Sequence, residues 1–222
     1  EPSRQDRQLL EVRAKQSNAA VEAIAGLLVT KLDTGGLVAP MPSAPGDKAS
    51  SFGCEAHVRG EKLEVNRLDR MTFAGHVPPA DVVRTGKGAI RELVSVMKEY
   101  NVRAQTMGII DPAMKAGNKK LRVFLPGAHP ARYLNELVRA AEEGGMTQVF
   151  VMVLDPTDGK MRELPLLTTA PKAPPRRPKK KGAKAPAAPV TLRCDDDASM
   201  QDCASKLATA RADGAPLVYV PL

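Results

Sequence analysis

LRVFLPGAHPARYLNELVRAAEEGGMTQVFVMV, residues 121–153, and VTLRCDDDASMQDCASKLATARADGAPLVYVPL, residues 190–222, are two versions of one pattern set 69 positions apart without a gap. Leu121, Val123 and Leu125 fall on Val190, Leu192 and Cys194. Leu134, Val138 and Ala141 fall on Cys203, Leu207 and Ala210. Gly145 falls on Gly214, and Val149 and Val151 fall on Val218 and Val220. Matches two apart belong to strands and matches three or four apart to helices, so the repeat is one of buried faces. It predicts two strand–helix–strand units.

Around this pair the chain divides by composition. Residues 1–36 read as one long helix. Ser3 and Asp6 suit a capping box, and Leu10, Ala14, Val21, Ile24 and Leu28 form a narrow apolar stripe. That stripe suits either packing on its own domain or a stalk, in which case it is a homodimer seam. Residues 37–51 are a linker rich in Pro, Gly, Ala and Ser, residues 52–167 a first α/β domain, 168–189 a Pro/Lys-rich linker, and 190–222 the second unit. Inside the first domain, Ala56–Val58 and Lys62–Val65 read as short strands and Gly86–Tyr100 as a helix. Val102–Ile110 reads as a strand, Asp155–Lys160 as a turn, and Met161–Leu167 as an edge strand, because Pro165 cannot donate to a ladder. The fold class expected is α/β (α+β): two small two-layer units with mixed sheets behind a long N-terminal helix.

The charge is local. The protein carries a formal +8, but Pro171–Pro189 holds seven Lys or Arg and no acid, which leaves about +1 for everything else. Arg176, Arg177, Lys179, Lys180 and Lys181 are the candidate polyanion-binding residues. The strap lacks aromatics for base stacking, and a solvated, extended linker is the alternative reading. There is no Trp, and aromatic residues make up 3% of the chain, so the core is aliphatic. No run of about 18 apolar residues is present. A chain that opens on Glu1 reads as a processed or truncated piece, with a signal or membrane anchor expected upstream.

Familiar chemical signatures are weak. Thr85-Gly86-Lys87-Gly88 lacks the first Gly and the final hydroxyl of a phosphate-binding loop, and reads as a turn opening a helix. Cys54 and His57 have a C-x-x-H spacing without a second ligand pair. His129 reads as a loop residue, and Asp195–Asp197 as helix-capping and solvated acids. No cofactor and no metal are expected. Cys194 and Cys203 occupy the inward positions of Leu125 and Leu134, which should touch. They are a disulfide candidate in an oxidising compartment, or two small buried thiols in a reducing one.

The second unit resembles the periplasmic module of the ExbD/TolR family. It has an apolar strand ending in an acid (Thr191-Leu192-Arg193-Cys194-Asp195), a helix from Met200 to Arg211, then Gly214 and a last strand from Leu217 to Val220. The first unit is similar, with Gly127 in place of the acid. The likeness covers about a third of the chain. It implies a module tethered by a single transmembrane helix that dimerises and works with a proton-channel partner. The family's proton-carrying Asp lies in that helix, and no position here corresponds to it. The function expected is a non-enzymatic, extracytoplasmic binding or scaffold protein, with envelope or membrane proteins as partners. It would belong to a membrane-anchored energy-transducing or transport assembly. The alternative is a cytoplasmic polyanion- or nucleic-acid-binding protein acting through the strap, with an enzyme third.

Overall fold

Alternation of period two builds the first strands. Cys54, Ala56 and Val58 are buried while Glu55 and His57 point the other way, which defines β2, Cys54–Arg59. The computed structural model describes residues 39–40, 46–48, 53–109, 111–168, 189–211 and 216–221. The expected N-terminal helix, most of the first linker and nearly all of the basic strap lie outside them.

Before β2 comes the two-residue β1, Asp47–Lys48. After it come β3, Lys62–Val65, and β4, Leu68–Thr72. The β3–β4 turn places Asn66 and Arg67 at φ 53° and 66°, the backbone sense that matches the twist of a two-residue hairpin. Then follow α1, Arg91–Met107; α2, Pro112–Gly117; β5, Lys120–Phe124; α3, Arg132–Glu143; β6, Gln148–Leu154; and β7, Met161–Leu167. The second unit supplies β8, Val190–Leu192; α4, Met200–Arg211; and β9, Leu217–Tyr219. The fold is α+β, as expected from the sequence.

Both units enter one nine-stranded mixed sheet, ordered β4-β3-β2-β5-β6-β7-β9-β8, with β1 also on β7. β5 and β6 are parallel, β8 and β9 are parallel, and β7 runs antiparallel to β6 and parallel to β9. The order β5-β6-β7-β9-β8 is therefore palindromic in units, with opposite strand directions on either side. These are the relations of an approximate two-fold axis normal to the sheet at β7, the arrangement of a C2 dimer within one chain. One apolar core takes in Leu121, Val123, Leu134, Val138, Cys194, Cys203 and Leu207 from both units, with α1 closing it through Leu93, Val94 and Met97.

Three local expectations are corrected. Met161–Leu167 is an interior strand: β1 pairs at Arg162 and Glu163 and β9 at Leu167. Pro165 falls between these neighbours, where its missing N–H interrupts neither ladder. The strand expected over Val102–Ile110 is absent over the described residues 102–109, because α1 continues to Met107 with Ala104 inward and Val102 66% exposed. Finally, the repeat slips at its last strand. Val149 and Val151 are inward in β6, but Leu217 and Tyr219 take that place in β9, and Val220 is 45% exposed. The spacing from helix to strand is thus one residue shorter in the second unit. In the first unit Gly145, at φ 79°, closes α3: its N–H donates to Glu142 O and that of Met146 to Ala141 O.

Candidate functional site

The residues ahead of α3 and α4 meet on the pseudo-two-fold axis. Ala131 N donates to Ala198 O at 2.7 Å and Met200 N to His129 O at 2.7 Å. Arg132 N donates to Asp196 O at 3.0 Å and Gln201 N to Gly127 O at 2.9 Å. Each pair becomes the other when 69 is added or subtracted, and Pro130 bridges Ser199 at the centre. The first amides of a helix have no partner within it, and here carbonyls of the opposite unit supply one. That explains why Ala131, with no capping side chain, can precede α3.

Side chains reinforce the junction. Arg132 reaches Asp197 Oδ1 at 2.8 Å and Asp196 Oδ2 at 3.5 Å. The fully buried Asn135 donates to Cys194 O at 3.1 Å and Asp196 Oδ1 at 2.7 Å, and accepts from Tyr219 Oη at 2.7 Å. The expectation of helix capping at 195–197 is corrected for Asp196 and Asp197. Asp196 and Asp197 tie back to α3, while Ser199 accepts the Asp202 amide at 3.1 Å and donates to its carboxylate at 2.7 Å. Replacing Tyr219 by Phe leaves the buried Asn135 carbonyl without its donor. Chemical denaturation should register a loss of about 1–3 kcal/mol.

Beside this junction lies a cleft of about 290 Å³ lined by Gly75, His76, Ala128, Pro130, Arg132 and Asp197, with Ser199 at its edge. His76 Nδ1 lies 3.1 Å from Tyr133 Oη, and the His76 and His129 rings are 4.9 Å apart. His76 holds a φ of 62° next to Gly75 at 60°, a left-handed pair that aims the imidazole at the cleft. The Gly75 amide is fixed by Glu61 Oε1 at 2.6 Å. His129 Nε2 is 2.7 Å from Gly60 O. A carbonyl only accepts, so Nε2 carries the proton and Nδ1 is the bare nitrogen. Burial pushes the Tyr133 phenol up to about 12, with Glu61 adding to it, so Tyr133 is a neutral donor. The cleft offers the His76 imidazole and the Arg132 guanidinium, the latter paired with Asp197, to a polar ligand, with Tyr133 buried behind His76.

Burial holds His129 below its ordinary value of 6.5; its hydrogen bond to Gly60 opposes the shift and His76 adds to it. Below that value the unfolded chain takes up a proton that the folded one refuses, so stability falls as pH drops from about 6.5 toward the lower folded value. Denaturation midpoints at about pH 7.5 and about pH 5.5 should show this fall, and His129→Asn should flatten it.

The sheet's other face carries a second polar cluster. Arg122 donates to Glu55 Oε1 at 2.8 Å and to Glu163 Oε1 at 3.2 Å, and Glu163 is 2% exposed. His57 stacks on Phe124 at 4.2 Å and, by its hydrogen bond to Glu55, holds that carboxyl below its usual range, with Arg122 adding to the effect against burial.

Cys194 and Cys203 form a disulfide with Cα atoms 5.8 Å apart, both nearly fully buried. It joins the end of β8 to α4 and is compatible with an oxidising compartment. Cys54 is a buried free thiol pushed up to about 12, mainly by burial. It cannot ligate with His57, which lies on the opposite sheet face. Thr85–Gly88 forms a turn ahead of α1, with Thr85 Oγ1 on Glu143. Among the described residues no cluster of three or more His, Cys, Asp or Glu is placed to hold a metal, and no helix is long and apolar enough to cross a membrane. Arg176, Arg177, Lys179, Lys180 and Lys181 lie outside the described residues. The chain matches no protein-family model, no curated protein and no solved structure.

Proposed function

We propose that the protein is a non-enzymatic interaction module of the cell envelope, working outside the cytoplasm as part of a membrane-anchored energy-transducing or transport assembly. The observation that carries this reading is the buried Cys194–Cys203 disulfide. Cytosolic thiol pools keep such pairs reduced, whereas exported proteins retain them. The pseudo-two-fold sheet supports it further: two ExbD/TolR-like units, a module that dimerises in that family, are related here as two subunits of a dimer would be. The cleft on that axis draws side chains from both units and is the surface assigned to recognition.

Rapid acid quenching of the native cells, followed by alkylation and peptide mass spectrometry, tests this reading. Cys194 and Cys203 should be recovered linked, and Cys54 as a thiol. Recovery of both as free thiols would favour the cytoplasmic alternative, in which the strap binds a polyanion.

A further inference from the structure

One end of the sheet is β4, and among the described residues its outer edge pairs with no strand. Such an edge presents backbone donors and acceptors at strand spacing. Beside it runs a groove of about 460 Å³ lined by Arg70 and Met71 of the edge, by Asp81, Val82 and Val83 of the following loop, and by Glu92 of α1. Two observations give the groove a chemistry. Glu92 stands 4.0 Å from the Arg70 guanidinium, beyond hydrogen-bond length. With Asp81 it gives the groove two carboxylates against one cation. Val83 at the rim and Leu68 at the start of β4 are 56% and 58% exposed.

We propose that β4 receives an extended segment of a partner protein as an added strand, with a Lys or Arg side chain of that segment placed between Asp81 and Glu92. Main-chain carbonyls of the segment take the backbone N–H groups on the open edge of β4. Its apolar side chains, at alternate positions, cover Val82, Val83 and Leu68. Main-chain pairing supplies affinity and the two carboxylates supply selectivity. The inference rests on the reading of the protein as an interaction module and names the chemistry of its partner.

The test is selection of a displayed random dodecapeptide library on the full chain, with the enriched peptides then titrated into isotope-labelled protein. The expected result is enrichment of segments bearing one basic residue among alternating apolar or β-branched ones. Their binding should shift the amides of Leu68–Thr72 and weaken about tenfold or more in an Asp81→Asn/Glu92→Gln variant and at raised salt. Both positions are exposed, and the amide spectrum of the free variant checks its fold. The proposal is overturned if no peptide is enriched, if enriched peptides shift amides elsewhere, or if their affinity ignores the variant. Concentration-dependent shifts of the same amides without peptide would assign the edge to a second copy of this chain and also overturn it. The redox state of Cys194 and Cys203 is independent of all these outcomes, so failure here and failure of the envelope reading are told apart.

Discussion

Replacing Arg122 by Gln should cost about 3–5 kcal/mol, the usual penalty for breaking a buried ion pair by removing one member. Arg122 is 12% exposed at its side chain and lies between two carboxylates, Glu55 and Glu163, on strands β2 and β7. Gln keeps much of the stem but removes the cation that offsets desolvation of Glu163, whose side chain is 3% exposed. Urea denaturation measures the loss. An Arg122→Gln/Glu163→Gln double variant should recover a large part of it, because two neutral amides in contact carry no uncompensated charge. A loss below about 1 kcal/mol in the single variant would show that the pair behaves like a surface bridge.

Removing the disulfide through a Cys194→Ala/Cys203→Ala double variant should cost about 2–4 kcal/mol. The cross-link spans nine positions of sequence. It therefore restricts a short loop of the unfolded chain, and the gain lies toward the lower part of that range. The two sulfurs also fill core space between β8 and α4, so Ala leaves a small cavity that adds to the loss. Mild reduction of the native protein isolates the first contribution. The loosened part should be the second unit, read as faster amide exchange in α4 and β9 than in α3 and β6. Equal loosening of both units would contradict the assignment of the disulfide to local stapling.

The strand–helix–strand units were legible because their aliphatic faces repeat at periods of 2 and 3.6, and the shared register brought Cys194 to Cys203. The slip at β9 was not legible. Leu217-Val218-Tyr219-Val220 is apolar at every position, so alternation says nothing about which face is inward. The extension of α1 was hidden for a related reason. Val102 and Ile109 favour strand, whereas the inward residue that continues the helix is the small Ala104. Pro165 was read as an edge marker, although a central strand tolerates it where neighbouring strands leave a gap. The site depended on tertiary crossing. Asn135 lies beside an apolar stripe, and its three partners come from Cys194, Asp196 and Tyr219, at least 59 positions away. His76 and His129 are 53 positions apart, and neither carries a spacing that announces the other. The one available signal was the unit alignment itself: adding 69 turns each residue ahead of α3 into its counterpart ahead of α4, and the bonds across the junction come in such related pairs.

If the cleft beside the pseudo-two-fold axis is the recognition surface proposed above, its partner in the cell envelope must come within reach of its rim. The most direct measurement is photo-crosslinking in the native cells, with a photoreactive residue in place of the exposed Ala128 at the cleft rim. The expected result is a discrete adduct with an envelope or membrane protein, lost when His76 and Arg132 are replaced and kept when residues 171–189 are deleted. Adducts confined to nucleic acid and abolished by that deletion would contradict it.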